Sequence, residues 1–177
     1  MSIIGLIAMS AKPYHKGHEE LIRIASQECD EVYLYVSVLD RKRKGEKAIS
    51  GEDMKFIWEV YLHKTLPGNV TLELCSESPL KNVWRRLEYS ELSDSEDTHN
   101  VYGDPQDLDA GYKIDYLKKS CPNLVANNLI VLNPISRDTT VNISGTDMRK
   151  FLSVGDKESF CNNCPGDAEA IWEILHK

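Results

Sequence analysis

The chain has 177 residues, of which 41% are hydrophobic and 28% charged, and its net charge is −7 at pH 7. This length predicts a single domain over residues 1–177, able to bury a full core. The acidic balance argues against a general binder of nucleic acid or anionic membranes. No apolar run approaches the roughly 20 residues that cross a bilayer, so we expect no membrane span.

The cysteines and the first residues bear on the compartment. Five scattered cysteines fit a reducing environment better than a disulfide framework. The first residues lack a basic region and a cleavage site, so we expect no secretory signal and a cytoplasmic protein. Cys161 and Cys164 form one C-x-x-C pair, which is too few ligands for a structural zinc site. We interpret them as two thiols at a helix end, and we expect no metal ligated by the protein.

The first predicted strand runs into a loop that is rich in reactive side chains. Ile3–Ala8 is an apolar run without a period, as in a strand covered on both faces. From Glu19 onward apolar residues recur at helical spacing. A strand, a short loop and a helix start are the opening half of a βαβ unit.

His15 and His18 lie in this loop, three residues apart, with Gly17 between them. A helix start offers free N–H groups and the positive end of its dipole, which suit phosphate, and two imidazoles add donors there. Gly17 lets the backbone come close to a ligand. Two other interpretations stay open: exposed loop histidines, or a metal site, although no further ligand pair is evident.

A run of basic residues follows the second predicted strand, Glu31–Val38. Asp40–Lys47 comes at the carboxyl end of that strand, the edge of an open α/β sheet where ligands bind. A solvated loop is the ordinary interpretation of such a run. The alternative is that Arg41, Lys42 or Lys44 contacts a phosphate.

The middle of the chain alternates helical and strand patterns. Ser50 is a predicted helix cap, and Gly103–Asp107 is predicted to be a tight loop in which Asp104 is either a turn residue or a nucleotide contact. The other predicted elements are a helix that begins after Ser50, a strand at Val70–Leu74, a helix from Pro79, an acidic loop at Ser90–Thr98, a short fourth strand at His99–Tyr102 whose first residue is alternatively assigned to that loop, a helix at Leu108–Lys119 and a strand at Leu129–Leu132.

A second phosphate-binding pattern stands near the end of the chain, at Val141–Arg149. Ser144 or Thr146 can cap a helix, and Gly145 allows backbone N–H groups to turn toward an anion. Arg149 then lies about one turn into a helix whose start favours phosphate. The alternative is an ordinary capped helix with a surface arginine.

Together these two stretches resemble a known family. Pro13–His18, PYHKGH, is similar to the H-x-G-H motif of the nucleotidyltransferase superfamily, and Ile143–Arg149, ISGTDMR, is similar to its I-S-[SG]-T-x-x-R motif. The superfamily includes nicotinamide-mononucleotide and pantetheine-phosphate adenylyltransferases and small cytidylyltransferases. The resemblance implies a Rossmann-like α/β fold over nearly the whole chain, with a five-stranded, mainly parallel sheet of order 3-2-1-4-5 and helices on both faces.

The resemblance also implies a reaction and roles for particular residues. An acceptor phosphate, such as that of nicotinamide mononucleotide, attacks the α-phosphorus of a nucleoside triphosphate and releases pyrophosphate. His15 and His18 would contact the α- and β-phosphates, and Arg149 would hold the β- and γ-phosphates. Mg²⁺ would bridge phosphate oxygens through water, without a protein cage. The remaining implied nucleotide or phosphate contacts are Ser10, Lys16, Gly17, Lys42, Gly103, Asp104, Ser144, Gly145 and Thr146.

The resemblance leaves the donor nucleotide, the acceptor and catalytic turnover open. ATP is the favoured donor, with a CTP-dependent cytidylyltransferase as the first alternative. The second alternative is a regulator that binds nucleotide without turnover. Met9 and Ala11 stand where the family often carries glycine and an aromatic residue, at the turn that faces the nucleotide, so the base and the acceptor are not predicted. The oligomeric state, including a homo-oligomer, is also open.

Overall fold

The structure is a computed structural model that describes residues 1–177 apart from the side chain of Thr139. Five parallel strands form one sheet in the order β3-β2-β1-β4-β5, which confirms the predicted fold and strand order. The strands are β1 (Ile3–Met9), β2 (Glu31–Ser37), β3 (Val70–Cys75), β4 (Thr98–Gly103) and β5 (Ile130–Pro134).

Helices connect the strands and pack against the sheet. The α-helices are α1 (Lys16–Glu28), α2 (Gly51–Ile57), α3 (Pro79–Leu92), α4 (Pro105–Gly111), α5 (Ile114–Ser120), α6 (Pro122–Ala126), α7 (Gly145–Val154), α8 (Lys157–Asn163) and α9 (Ala168–Leu175). Helix α2 continues as a π-helical turn at Trp58–Leu62 and a 3-10 turn at His63–Thr65, and a further 3-10 turn spans Arg137–Thr139. None of the described helices is long and apolar enough to cross a membrane.

Strand β1 is the centre of the sheet and explains the apolar run of the sequence. It pairs in parallel with β2 on one side and β4 on the other, so that Ile7 lies opposite both Leu34 and Tyr102. Successive residues of a strand face opposite sides, and accordingly Leu6 and Ile7 belong to two different core clusters. The chain passes from β1 to β2 and β3 on one side and then crosses from β3 to β4 on the other side of β1. The carboxyl end of β1 therefore borders the crevice where α/β proteins bind ligands.

The prediction of one helix at Leu108–Lys119 was wrong, and so was the tight loop at Gly103–Asp107. Pro105–Gly111 and Ile114–Ser120 are two separate helices. Asp104 is the N-cap of the first, and its Oδ1 accepts a hydrogen bond of 2.9 Å from the N–H of Gln106. Pro105 supplies a preset φ at the first helical position, so this pair starts a helix where the sequence resembled a turn.

His99 belongs to the fourth strand, as predicted, and its alternative assignment to the acidic loop was wrong. It lies within β4 and is fully buried, with Nε2 2.9 Å from Ser90 Oγ and Nδ1 3.2 Å from the carbonyl oxygen of Leu129. Strand β4 lies between β1 and β5, and a polar side chain in such a position must find partners to offset its lost hydration. The acidic segment before this strand belongs to α3 as far as Leu92. The loop between α3 and β4 is therefore shorter than the predicted Ser90–Thr98.

The C-x-x-C pair lies at the end of α8, as predicted. Cys161 is half-buried, and Cys164 is the C-cap residue and belongs to the hydrophobic core. Within the described residues, no three His, Cys, Asp or Glu side chains gather closely enough to hold a metal ion.

Candidate nucleotide site

A cavity of about 650 Å³ lies at the carboxyl ends of β1 and β4, and both predicted motifs line it. The loop after β1 and the start of α1 supply one wall, and the start of α7 supplies another. Tyr102 and Gly103 line it from the end of β4. Residues from α3 and α4 complete it, among them Pro79, Leu80, Asp107, Leu108 and Tyr112.

The two histidines cap helix α1 reciprocally. His15 is the N-cap residue, and its Nδ1 accepts hydrogen bonds from the N–H groups of Gly17 at 3.1 Å and His18 at 3.4 Å. His18 Nδ1 in turn accepts from the N–H of His15 at 3.1 Å. A nitrogen that accepts a hydrogen bond carries no proton, so this geometry assigns the neutral Nε2–H tautomer to both rings. Each Nε2–H is therefore left as a donor.

Both rings are uncharged at neutral pH. Burial, followed by the nearby charge of Arg137, lowers the pKa of His15 to about 4. Burial and the neighbouring His15 lower the pKa of His18 well below its usual value. The two rings stack with centroids 3.7 Å apart, and the Tyr14 ring stacks with His18 at a centroid distance of 5.6 Å. The packing thus fixes both imidazoles as neutral, oriented donors.

Helix α7 presents a capped start to the same cavity. Ser144 Oγ accepts from the N–H of Asp147 at 3.1 Å, and Asp147 Oδ2 accepts from the N–H of Ser144 at 3.1 Å. This capping box uses two donors and leaves the N–H groups of Gly145 and Thr146 without a hydrogen bond to a described residue. Both residues line the cavity. A helix start of this kind favours an anion.

Arg149 joins the two motifs. Its Nη1 donates to the carbonyl oxygen of Lys12 at 2.7 Å and its Nη2 donates to Thr146 Oγ1 at 3.2 Å. Nε lies 3.0 Å from Glu46 Oε2 as an ion pair, but it makes no well-directed hydrogen bond with a described residue. The side chain is buried, and burial lowers the pKa of its guanidinium. It is therefore not the surface arginine of the alternative interpretation.

The two motif glycines make room for functional side chains. A Cβ atom on Gly17 would lie 2.9 Å from the His15 ring, and one on Gly145 would lie 2.8 Å from Arg149 Nη1. The expected reason for these glycines was close approach of backbone to phosphate. The structure adds a second reason, because any larger residue would displace a donor of the site.

The other predicted site residues divide into two groups. Ser10, Gly103 and Asp104 line the cavity. Lys16 and Lys42 are exposed and do not line it, and Lys42 Nζ lies 4.0 Å from Asp40 Oδ2. Lys42 instead borders a smaller cleft of about 240 Å³, which shares Ser10 and Arg41 with the main cavity.

Three further residues of the site were not found from the sequence. Lys12 is buried and its Nζ donates to the carbonyl oxygens of Ser10, at 2.9 Å, and Ser37. Burial lowers the pKa of Lys12 to about 8. Arg137 lines the cavity, and Glu46 pairs with Arg149. A lysine or arginine in a loop ordinarily indicates an exposed residue, and no local pattern signals these contacts.

Comparisons with known proteins agree with this architecture. Residues 4–59 match the citrate lyase ligase C-terminal domain family, and no curated protein matches the chain. A Vibrio parahaemolyticus protein, provisionally assigned as a nicotinate-nucleotide adenylyltransferase, has 15% identity and a TM-score of 0.63, with 100% of both chains covered. A bifunctional NMN adenylyltransferase/ADP ribose pyrophosphatase from Francisella tularensis has 19% identity and a TM-score of 0.56, covering 88% of this chain and 43% of that one.

A third structure, Thermotoga maritima TmcAL bound with alpha-thio ATP, has 15% identity and a TM-score of 0.53, covering 99% of this chain and 55% of that one. At such identities the likeness establishes the fold. The shared feature is the five-stranded parallel sheet of order β3-β2-β1-β4-β5 with its helices, so the fold that the resemblance implied is confirmed.

Proposed function

We propose that this chain is a nucleotidyltransferase that transfers AMP from ATP to a phosphate-monoester acceptor, such as nicotinamide mononucleotide, and releases pyrophosphate. One observation supports this most. Two neutral histidine donors and the start of α7 with Arg149 face the same cavity, joined by the hydrogen bond from Arg149 to Lys12. Such an arrangement of donors suits a chain of linked phosphates.

The chemistry follows from where the donors lie. An oxygen of the acceptor phosphate attacks the α-phosphorus and forms a new P–O bond. The bond from the α-phosphorus to the bridging oxygen breaks, and pyrophosphate leaves with the electron pair. A phosphate monoester is already anionic at pH 7, so no strong general base is needed. The Nε2–H groups of His15 and His18 stabilise the charge that grows on the phosphate oxygens.

A divalent ion fits this site as a companion of the triphosphate. Mg²⁺ keeps several waters and binds through one or two carboxylates and substrate phosphates, and the described residues offer no cluster of three ligands. It would supply charge neutralisation at the phosphates. The Francisella adenylyltransferase structure complexed with AMP and a Mn ion supports a divalent metal, with 18% identity and a TM-score of 0.53 over 88% of this chain and 42% of that one.

The smaller cleft suits the acceptor phosphate. Ser10 and Arg41 line both the cleft and the main cavity, and Lys42 and Arg43 add positive charge on the cleft side. An anion held there would lie next to the triphosphate site, which is the arrangement that in-line attack requires. On this proposal Lys42 contacts the acceptor rather than the triphosphate.

Binding experiments test the proposal directly. The melting temperature is measured with Mg²⁺ and each of the four nucleoside triphosphates, then with phosphorylated acceptors added. We expect the largest rise with ATP. A larger rise with CTP would support the cytidylyltransferase alternative, and no rise with any triphosphate would contradict the proposed site.

A further inference from the structure

We infer that Glu46 is a positioning residue that holds Arg41 beside Arg149 at the wall of the cavity. The inference rests on the proposed function for its meaning, since the two arginines matter as a phosphate-binding pair. Glu46 lies in the charged run between β2 and α2, and the sequence suggested no role for this residue.

Glu46 contacts both guanidiniums. Its Oε2 lies 3.0 Å from Arg41 Nε and 3.0 Å from Arg149 Nε, and its Oε1 accepts from Arg41 Nη2 at 3.3 Å. The hydrogen bonds from Arg41 lower the pKa of Glu46, so the carboxylate is charged at neutral pH. Two cations held this close repel one another unless an anion is placed between them.

The position of Glu46 decides what this contact does. Arg41 and Arg149 both line the cavity, whereas Glu46 does not. Glu46 therefore pairs with both guanidiniums without itself lining the cavity in which a phosphate would bind.

The two arginines depend on Glu46 to different degrees. Arg149 is held independently by the carbonyl oxygen of Lys12 and by Thr146 Oγ1. The Arg41 guanidinium makes hydrogen bonds with Glu46 alone among the described residues. Its backbone is fixed by a two-bond bridge to Ile49, so only the side chain is free to leave. Removing Glu46 should release Arg41 and leave Arg149 in place.

The experiment has one arm without nucleotide and one with it. In the ligand-free protein, the Nε–H signals of both arginines are followed by ¹H–¹⁵N NMR. In Glu46→Ala we expect the order parameter of the Arg41 Nε–H group to fall, whereas that of the Arg149 Nε–H group stays high. An unchanged Arg41 signal would overturn the inference, whatever the protein binds.

The second arm measures the Kd of Mg²⁺–ATP by titration. We expect Glu46→Ala to weaken binding about tenfold, equivalent to about 1.4 kcal/mol, and Glu46→Gln to weaken it less. In an Arg41→Ala background, Glu46→Ala should then change the Kd less than about twofold, because the two residues act as one unit. Glu169→Ala is the charge-matched control. Glu169 lies on α9, 2.7 Å from Lys157 Nζ, and we expect its removal to leave the Kd of Mg²⁺–ATP unchanged.

Two results of the titration would contradict the inference. Tighter binding in Glu46→Ala would mean that the carboxylate opposes phosphate, and full additivity with Arg41→Ala would mean that it acts on some other part of the site. If the parent protein bound no triphosphate at all, the proposed function would fail, and the NMR arm would still decide whether Glu46 positions Arg41.

Discussion

Arg149 Nη1 donates a 2.7 Å hydrogen bond to the carbonyl oxygen of Lys12, a residue 137 positions earlier in the chain. This contact links the start of α7 to the loop after β1. Each motif is a capped helix start by itself, and the contact places both at one cavity. A substitution of Arg149 therefore tests this link without removing the cap of either helix.

Replacing Arg149 with alanine should remove most of the melting-temperature rise given by Mg²⁺–ATP. The loss of a charge-assisted phosphate contact is expected to cost about 1.5–3 kcal/mol of binding. Arg149→Lys keeps the charge but replaces the planar fork, whose Nη1 and Nη2 reach Lys12 and Thr146 separately, with a single nitrogen, so it should bind ATP nearly as weakly as Arg149→Ala. If Arg149→Ala bound ATP as tightly as the parent, the triphosphate site would be misassigned.

Gly145→Ala should weaken ATP binding without lowering stability. The new Cβ would lie 2.8 Å from Arg149 Nη1 and must displace the guanidinium. Alanine is otherwise the better helix residue by up to about 1 kcal/mol, so the free energy of unfolding should not fall by much. Urea denaturation and an ATP titration measure the two effects. Unchanged binding would show that the guanidinium is not needed where it lies.

His15→Asn and His15→Ala separate the cap from the chemistry. Asparagine caps a helix as well as any residue, so His15→Asn should keep the stability at pH 7 and lose turnover, whereas His15→Ala should also lose about 1 kcal/mol of stability. Urea denaturation beside a pyrophosphate assay measures both. Full turnover in His15→Asn would assign this imidazole to capping alone.

The lowered pKa of His15 also predicts how stability depends on pH. The unfolded chain binds a proton near pH 6.5, and the folded protein only near pH 4. The free energy of unfolding should therefore be maintained above pH 6.5 and should fall by roughly 1–3 kcal/mol as the pH drops toward 4. His15→Asn lacks this contribution, so its curve should fall less. Parallel curves from urea denaturation at several pH values would contradict a buried, neutral His15.

The two thiols of the C-x-x-C pair should behave differently. Burial raises the pKa of Cys164 to about 12, so it stays a thiol and should react slowly with a disulfide reagent at pH 8, whereas half-buried Cys161 should react first. Cys164→Ser should lower the free energy of unfolding by about 1–3 kcal/mol, and Cys161→Ser by less than about 0.5 kcal/mol. Equal reaction rates would contradict the burial of Cys164, and one zinc per chain would contradict the absence of a metal role.

The sheet could be predicted because its signals are local. The unbroken apolar run of β1 and the alternating residues of β3 mark strands directly, and Ser50 and Ser144 mark helix starts. The errors came where a signal was ambiguous. Asp104-Pro105 fits a turn and a helix start equally well, and His99 is polar but paired inside the sheet.

The site was predictable only as far as its motifs extend. The two histidines and Arg149 were found because each belongs to a short pattern with a physical reason. Lys12 and Glu46 were missed because their partners, Ser37, Arg41 and Arg149, come together only in the folded chain. Long-range contacts of this kind leave no spacing in the sequence to detect.

Transfer at the α-phosphorus is the step that distinguishes a nucleotidyltransferase from a protein that only binds nucleotide. ATP labelled at the α-phosphorus is incubated with Mg²⁺ and a phosphate-monoester acceptor, nicotinamide mononucleotide first. The position of the label and the release of pyrophosphate are measured at saturating substrates, for the parent protein and for His18→Ala. We expect the label in the acceptor product, one pyrophosphate per transfer, and a loss of about 10²–10³-fold in turnover for His18→Ala with little change in ATP binding. Tight ATP binding without pyrophosphate release for any acceptor or triphosphate would contradict the claim and favour a regulator that binds nucleotide without turnover.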